Sequence, residues 1–325
     1  MRVVFDNTSM RTLVIVNPRA GGGRTTSSLG PVRSLLESRL GPVDLESTTR
    51  PGHAIDLARD ATRDGRPLIV AVGGDGTLHE VANGILSSGG SAGAGGPKLG
   101  YVGLGTGGDF RHTLGVAHRL DAYVEAIAGG RDLVIDAGKV GYRAVDGGRG
   151  SRWFVNVLSA GMGGLVDRYV AGAGKSLGGK AAYFLASARA LATCARGRLR
   201  CGVSLGDASH ERRLESYMFA ICNGRSFGGG MQVAPMARPD DGRFDVVSMD
   251  APSKLAFAAT AGRIYSGRHL TTPGVEHFAC DRLTLDLENE DARGVFLLDV
   301  DGEPLGGLPL EVELVPRVLT VRAAA

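Results

Sequence analysis

Short apolar runs alternate with segments of helical spacing along the first part of the chain. Apolar runs typical of buried strands occupy residues 12–16, 43–48, 68–72 and 99–104. Segments with apolar residues at the spacing of a helix face occupy residues 32–39, 53–63, 78–86 and 120–128. Because strands and helices take turns, we expect an α/β domain whose parallel sheet is covered by helices on both faces.

Extended runs dominate the rest of the chain. They occupy residues 133–137, 153–158, 199–205, 217–222, 244–249, 283–287 and 296–300. Helical spacing is found only at 181–195 and 255–265, so we predict a second, largely antiparallel β domain. We place the first domain at 12–135 and the second at 136–310. The closing segment 311–325, with two more extended runs, is expected to pack back on the first domain.

The composition argues against partners that need a strongly charged surface. The 325 residues include 37 Lys and Arg and 34 Asp and Glu, which leaves a formal net charge of +3. We therefore expect no nucleic-acid partner. The four cysteines form no CxxC pair, and no uninterrupted apolar stretch reaches the roughly 18 residues that a membrane-spanning helix needs. A cytoplasmic protein is expected, and any membrane contact would be peripheral.

A glycine-rich loop between a strand and a helix, VAVGGDGTL at 70–78, is the strongest candidate for chemistry. Glycines let backbone N–H groups approach a ligand closely, and the following helix adds its own N–H groups and the positive end of its dipole. Such a loop is suited to binding phosphate groups. Asp75 would repel phosphate, so it fits this role if a divalent cation lies between them. Alternatively, Asp75 caps the helix.

Six segments, in chain order, carry a resemblance to a known family. They are NPRAGG at 17–22, GGDGT at 73–77 with Glu80, GTGGDF at 105–110, FVNVLSAGMGG at 154–164, CNGRSFGGGMQVAPMARPDDGRFDV at 222–246 and DVDGEPL at 299–305. Together they resemble the catalytic domain of the diacylglycerol kinase family, which groups bacterial lipid kinases with sphingosine and ceramide kinases. The resemblance covers residues 12–325, whereas GGDGT alone is shared with NAD kinases and phosphofructokinases.

The resemblance implies a Rossmann-like α/β N-terminal domain of the NAD kinase and diacylglycerol kinase type. It implies a β-rich antiparallel sandwich as the C-terminal domain, with the active site between the two. By position, the residues implied to contact ATP are Asn17, Pro18, Arg19, Ala20, Gly21, Thr48, Gly74, Asp75, Gly76, Thr77, Leu78, His79, Glu80 and Thr106. A magnesium ion, Mg2+, is implied at Asp241 and the backbone carbonyls of Arg238 and Arg243. The Asp-Gly pair in this segment is also typical of a hairpin turn.

The resemblance assigns catalysis to the Asp-Gly-Glu segment at 301–303. A carboxylate within hydrogen-bonding reach of a hydroxyl accepts its proton during phosphoryl transfer. We predict Glu303 as this base, with Asp301 as its support or as a ligand of a metal-bound water. Asp75 is the alternative base, as in some relatives. The chain departs from the family pattern at Gly108, where the family usually has Asn.

These observations predict an ATP-dependent lipid kinase, with diacylglycerol as the expected substrate and phosphatidic acid as the product. The alternatives are a kinase for a soluble substrate, of the NAD kinase sort, and a nucleotide-binding regulatory protein without turnover. A lipid substrate implies peripheral contact with the inner face of a membrane. A homodimer that forms through an edge strand is an open alternative to a monomer.

The region 165–191 is expected to form an apolar lid over the acyl chain or, alternatively, an ordinary buried helix with a solvated face. Its apolar candidates are Tyr169, Leu177, Tyr183, Phe184 and Leu185. Its basic candidates for contact with anionic headgroups are Arg168, Lys175, Lys180 and Arg189.

Overall fold

A computed structural model of the chain describes residues 11–90, 92, 95–104, 108–172 and 179–325. The chain divides into two compact units. The first unit ends at Ile135 and takes in the closing segment Arg317–Ala325, and the second unit is Asp136–Pro316.

Parallel strands form the sheet of the first unit. They are β1 (Leu13–Val16), β2 (Asp44–Ser47), β3 (Leu68–Gly73) and β4 (Lys98–Gly103). Their order is β2–β1–β3–β4, with Val16 opposite both Ser47 and Val72. All of β1 and most of β3 are buried, which explains why these strands are continuous apolar runs rather than alternating ones.

Helices follow these strands. They are α1 (Arg24–Leu40), α2 (His53–Arg63), α3 (Asp75–Ser87), α4 (Phe110–Leu114) and α5 (Leu120–Gly129). All but the short α4 were predicted from the sequence. Helix α2 buries Ala54, Ala58 and Ala61 on one face. It lies so close to α3 that a Cβ on Gly84 would be 2.4 Å from the carbonyl oxygen of Ile55. The small residues on both helices therefore set their close approach.

The closing segment belongs to the sheet of the first unit. Val321 pairs in parallel with Leu99 of β4. The guanidinium of Arg322 donates to the carbonyl oxygens of Ile127 at 2.8 Å and of Gly130 at 2.7 Å. These bonds fasten the end of the chain to the end of α5.

Strands make up most of the second unit. They are β5 (Arg131–Ala144), β6 (Arg149–Phe154), β7 (Val157–Gly161), β8 (Gly197–Leu205), β9 (Ala208–Ser216), β10 (Met218–Cys222), β11 (Phe244–Met249), β12 (Val275–Cys280), β13 (Arg282–Leu287), β14 (Leu297–Val300) and β15 (Glu303–Ala323). Two of them, β5 and β15, also extend into the first unit. One antiparallel path runs β12–β11–β10–β7–β14–β15, and a second runs β15–β13–β8–β9. Strand β5 pairs with β6 and β15. The antiparallel, β-rich second domain expected from the sequence is confirmed.

Strand β10 divides the interior of the second unit into two hydrophobic clusters. Phe219 and Ile221 belong to one cluster, whereas Met218, Ala220 and Cys222 belong to the other. This alternation follows from the two-residue period of a strand, which sends successive side chains to opposite faces. The first cluster includes Phe154 stacked on Phe244 and the second includes helix residues, so a sheet separates the two cores.

Helices of the second unit are α6 (Met162–Gly172), α7 (Gly179–Thr193) and α8 (Lys254–Gly262). The prediction of only two helices in this part of the chain is therefore wrong, because α6 is a third. Its start is rich in glycine, which hides the helical pattern. A Cβ on Gly164 would lie 2.4 Å from the carbonyl oxygen of Leu297, so glycine is required for α6 to rest on the backbone of β14.

Three further differences concern strands. The single strand predicted at 153–158 is wrong, because the chain leaves the ladder between β6 and β7. The two extended runs expected near the end are instead one continuous strand, β15. Strands β9 and β12 were not predicted, since β9 reads ASHERRLES and carries almost no apolar residues. It is formed by its hairpin pairing with β8.

Candidate active site

Loops that follow the parallel strands of the first unit meet at one edge of its sheet. The backbone N–H of Asn17 donates to Val72 at 3.0 Å, and that of Thr48 donates to Val16 at 2.8 Å. These bonds extend the strand ladder past the ends of β1 and β2. The loops after β1, β2 and β3 are therefore neighbours, as ligand-binding loops are in open α/β sheets.

The first glycine loop is joined to the GGDGT loop by side chains. The amide Nδ2 of Asn17 donates to the Oγ1 of Thr77 at 3.2 Å, and its Oδ1 accepts the N–H of Arg19 at 3.0 Å. Thr77 is buried. A Cβ on Gly73 would lie 2.3 Å from the Thr77 hydroxyl, so this position requires glycine.

Gly74 is the N-cap of α3 and has open space where a Cβ would be, with no atom within 4 Å. A thirteen-residue helix therefore begins at an accessible glycine. Its positive end and first-turn N–H groups form the kind of site that binds phosphate.

The carboxylate of Asp75 connects this loop to the segment after β4. Its Oδ2 accepts the backbone N–H of Gly108 at 2.8 Å and of Asp109 at 3.2 Å, and its Oδ1 accepts the hydroxyl of Tyr101 at 3.5 Å. The alternative in which Asp75 caps α3 is wrong, because Gly74 is the N-cap residue and Asp75 is the first residue of the helix. Asp75 instead fixes two glycine-rich segments relative to each other.

Other predicted ATP contacts lie in three different environments. Leu78 and His79 are buried within α3. The carboxylate of Glu80 accepts the N–H of Gly52 at 2.9 Å and of Ala54 at 3.1 Å, so it holds the first turn of α2. Pro18 and Arg19 form the turn after β1, Ala20 and Gly21 begin a short 3-10 helix, and Gly76 lies in the first turn of α3. Thr106 lies outside the described residues, as do Leu177 and Lys175 and the side chains of Lys180 and Tyr183.

The Asp-Gly-Glu segment forms the turn between β14 and β15 in the second unit. Asp301 has a φ of 52° and Gly302 a φ of 90°, so both residues adopt the left-handed conformation. The Oδ1 of Asp299 accepts the N–H of Gly302 at 2.7 Å. The N–H of Asp301 donates to the carbonyl oxygen of Val157 at 3.0 Å. Glu303 follows as the first residue of β15.

The side chain of Asp301 is buried and accepts hydrogen bonds from the backbone where β6 ends and β7 begins. Its Oδ2 accepts the N–H of Val155 at 2.9 Å, and its Oδ1 accepts those of Asn156 at 3.0 Å and Val157 at 2.9 Å. These bonds satisfy backbone groups that the interrupted ladder would leave without partners. The carboxylate therefore supports the turn structurally, on the side away from bulk solvent.

Asp167, a carboxyl group near Glu303, is paired with Asp299. Asp167 of α6 forms a side-chain hydrogen bond with Asp299, which implies that the pair shares a proton. Burial raises the pKa of Asp167 to about 6, the bond to Asp299 opposes this rise, and the negative charge of Glu303 adds to it. Burial and the charge of Asp167 raise the pKa of Asp299 well above its ordinary value. The base candidate thus lies next to an acid pair.

The turn at Asp241 has one feature that suits a bound cation, an unbonded carboxylate oxygen. The Oδ2 of Asp241 accepts the Nε of Arg243 at 3.2 Å, whereas its Oδ1 is buried and has no hydrogen-bond partner. The turn is held by Asp136, which accepts the N–H of Gly242 at 2.8 Å and donates its own N–H to Pro239. A buried carboxylate oxygen of this kind suits a hard cation such as magnesium. Within the described ranges, no three His, Cys, Asp or Glu side chains cluster as a metal site.

Sequence reasoning missed Tyr101, Tyr123, Asp167 and Asp299 as neighbours of the predicted site residues. The one available signal was for Asp299, which lies two positions before Asp301 in the DVDGEPL segment. The other three residues reach their positions through packing of separate elements, which their local sequences do not indicate.

Two of the apolar residues predicted for the lid are exposed on α7. Phe184 is 72% exposed and Leu185 is 53% exposed. The guanidinium of Arg189 lies 4.3 Å from the ring centre of Tyr169, which links α7 to α6. Among the described residues, no helix is long and apolar enough to cross a membrane.

Comparison with known proteins places both units in one family. The profile described as "Diacylglycerol kinase catalytic domain" matches residues 11–140, and that described as "YegS C-terminal NAD kinase beta sandwich-like domain" matches 156–323. A Pseudomonas aeruginosa protein named "Probable lipid kinase YegS-like" is 31% identical over 280 residues, which are 86% of this chain and 83% of that protein. A Bacillus subtilis protein named "Diacylglycerol kinase" is 26% identical over 93% of this chain and 92% of its own length.

Solved structures have the same fold. A crystal structure titled as a diacylglycerol kinase from Bacillus anthracis covers 96% of this chain and 96% of its own, with a TM-score of 0.69 and 22% identity. The expected fold class, an α/β domain followed by a β-rich domain of this type, is confirmed. The chain belongs to the diacylglycerol kinase catalytic domain family.

Proposed function

We propose that the protein is an ATP-dependent lipid kinase that transfers the γ-phosphoryl group to a lipid hydroxyl, most directly that of diacylglycerol, to give phosphatidic acid. The observation that carries this proposal is the convergence of loops at one sheet edge, joined by the Asn17–Thr77 and Asp75–Gly108 hydrogen bonds. Membership in the diacylglycerol kinase family supports kinase chemistry, and the names of the relatives support a lipid acceptor.

The first unit would bind the nucleotide through its backbone. In phosphoryl transfer, a protein mainly positions the reacting groups and neutralises their charge. The accessible start of α3 at Gly74 offers N–H groups and a positive dipole end to the phosphates. The turn at Asn17 lies beside it through Thr77.

Glu303 would act as the proton acceptor. The lipid oxygen forms a bond to the γ-phosphorus while the bond from that phosphorus to the β-phosphate oxygen breaks, and ADP leaves. The hydroxyl proton passes to the carboxylate of Glu303. The left-handed turn at Asp301 and Gly302 fixes the backbone position of Glu303. Asp301 itself would serve as support, because its oxygens already accept three backbone N–H groups.

Magnesium would be held by Asp241 with the backbone carbonyls of Arg238 and Arg243. When bound there, it would supply positive charge to the buried Oδ1 of Asp241 and stabilise the turn. Asp136 would keep the turn in place through Gly242.

Peripheral membrane contact would use the exposed apolar residues of α7. A Phe184→Ser, Leu185→Ser variant should lose most of its sedimentation with vesicles that contain anionic lipid. Val145→Ser is the matched control, because Val145 is 90% exposed in the β5–β6 hairpin. Equal sedimentation of both variants and the wild type would contradict this contact.

The direct test is transfer of label from [γ-³²P]ATP with magnesium to mixed micelles. The panel contains diacylglycerol, phosphatidylglycerol and a sphingoid base, and a parallel reaction contains NAD. Label in diacylglycerol supports the full proposal, and label in another lipid corrects the substrate only. Label in NAD with none in any lipid would overturn it in favour of a soluble-substrate kinase.

A further inference from the structure

Two tyrosine hydroxyls meet beside the glycines of the segment after β4. A Cβ on Gly103 would lie 2.6 Å from the hydroxyl of Tyr123 and 3.2 Å from that of Tyr101. A Cβ on Gly108 would lie 3.4 Å from the hydroxyl of Tyr101 and 3.6 Å from that of Tyr123. The rings are 5.9 Å apart and meet edge to face. The two phenols therefore occupy the space that larger residues at 103 and 108 would need.

Tyr101 directs its hydroxyl at Asp75. It lies 3.5 Å from Oδ1, while Oδ2 is bound by the N–H groups of Gly108 and Asp109. Tyr101 is only 3% exposed. Burial, followed by the negative charge of Asp75, raises its pKa well above the ordinary value, so the phenol stays protonated and able to donate. A neutral donor thus faces a carboxylate in the interior of the unit.

Tyr123 holds this arrangement from the side of α5. Its hydroxyl lies 2.9 Å from the Nδ1 of His118, and the two rings meet edge to face. Burial raises the pKa of Tyr123 to about 12, so its hydroxyl is also neutral. His118 precedes α5 and is exposed, which places the histidine on the outer side of the tyrosine pair.

We propose that Tyr101, braced by Tyr123, is a positioning residue for the nucleotide site. Its hydroxyl orients Asp75, and Asp75 in turn fixes Gly108 and Asp109 against the start of α3. Gly108 has no side chain and therefore offers no polar group. The hydroxyl of Tyr101, which belongs to β4, offers one in its place. The inference rests on the proposed function only in taking ATP as the ligand of these loops.

The test is equilibrium binding of ATP with magnesium to Tyr101→Phe, which removes one oxygen and keeps the ring. The Tyr101–Asp75 contact of 3.5 Å is longer than an ordinary O–H···O hydrogen bond, so its loss predicts a Kd about threefold higher than that of the wild type. Tyr142→Phe is the control, because Tyr142 is a buried tyrosine of the second unit, and it should bind ATP as the wild type does. Tyr123→Phe should give a smaller increase in Kd, since it acts through Tyr101.

A rescue variant separates positioning from a general loss of structure. Tyr101→Phe opens space beside Gly108, where the hydroxyl lay 3.4 Å from the Cβ position. Gly108 has a φ of 92°, a conformation that strains side chains, and Asn tolerates positive φ better than most residues. The double variant Tyr101→Phe, Gly108→Asn restores a polar group there and should recover part of the lost affinity. Unchanged ATP affinity in both Tyr101→Phe and Tyr123→Phe would overturn the inference. A wild type that binds ATP but phosphorylates no lipid would overturn the proposed function alone, and weakened binding in Tyr101→Phe would still support the inference.

Discussion

Asp299 accepts the backbone N–H of Gly302 at 2.7 Å, and this bond closes the turn that delivers Glu303 to the start of β15. Glu303 then pairs with Val300 across the turn. The position of the base candidate is therefore set by a buried carboxyl group three residues before Gly302. A buried side chain thus controls the position of one that is proposed to contact the substrate.

Replacement of Asp301 by Asn should destabilise the second unit. The carboxylate accepts three backbone N–H groups, and an amide would turn donors toward at least one of them. We expect the free energy of unfolding to fall by about 2–3 kcal/mol, measured by urea titration. Asp146→Asn is the control, because Asp146 accepts one N–H in an exposed turn. Equal small losses in both variants would contradict a supporting role for Asp301.

The raised pKa of Asp167, a half-buried residue of α6, should make stability fall as pH rises. Its folded pKa of about 6 exceeds its ordinary value of 3.8, so the folded state holds the proton more tightly than the unfolded state. The stabilisation is present at low pH and is lost as pH rises through about 6. Between acidic and mildly alkaline pH, the free energy of unfolding of Asp167→Asn should therefore rise by on the order of 1–3 kcal/mol relative to that of the wild type.

The measurement is urea unfolding of wild type and Asp167→Asn at several pH values. Asp207→Asn, in the exposed β8–β9 hairpin, serves as the control and should follow the wild type. The same dependence on pH in wild type and Asp167→Asn would show that folding does not raise the pKa of this carboxyl group.

Glu80→Gln distinguishes a structural role from an ATP contact. The Glu80 carboxylate accepts the N–H groups of Gly52 and Ala54 at the start of α2. The substitution should lower the free energy of unfolding by about 1–2 kcal/mol, because one helix-end donor loses a charged acceptor. The Kd for ATP should remain near the wild-type value. Glu37→Gln, which removes an exposed ion pair with Arg33, should change stability by less than about 0.5 kcal/mol.

Loss of ATP affinity in Glu80→Gln without loss of stability would support the contact that the family resemblance implies. Thermal unfolding and nucleotide binding measured on the same samples separate the two outcomes.

The sequence predicts the first unit well because its signals are local. Strands β1 and β3 are continuous apolar runs, and α2 has the bounds that its spacing predicts. The shared location of the glycine loops can also be predicted, because the carboxyl ends of parallel strands lie at one edge of the sheet. The link from Asp75 to Gly108 could not be predicted, because it joins residues separated by an entire strand and helix.

The second unit shows where local patterns fail. Residues 153–158 have the composition of one strand, yet Asp301 binds the backbone at Val155 and Asn156 and interrupts it. Helix α6 was not predicted because glycine has a low helix propensity. The close contact with β14 nevertheless requires glycine at position 164. Both features depend on partners that are distant in the chain.

The central claim is that Glu303 accepts the proton of a lipid hydroxyl, and Glu303→Gln tests it most directly. Glu313→Gln is the matched control, because Glu313 lies on the same strand and is exposed. In the label-transfer assay with the lipid that the wild type phosphorylates, Glu303→Gln should lower kcat by a factor of about 10²–10⁴. Its Kd for ATP should stay unchanged, and Glu313→Gln should match the wild type in both quantities. Near-wild-type turnover in Glu303→Gln would contradict the assignment of the base.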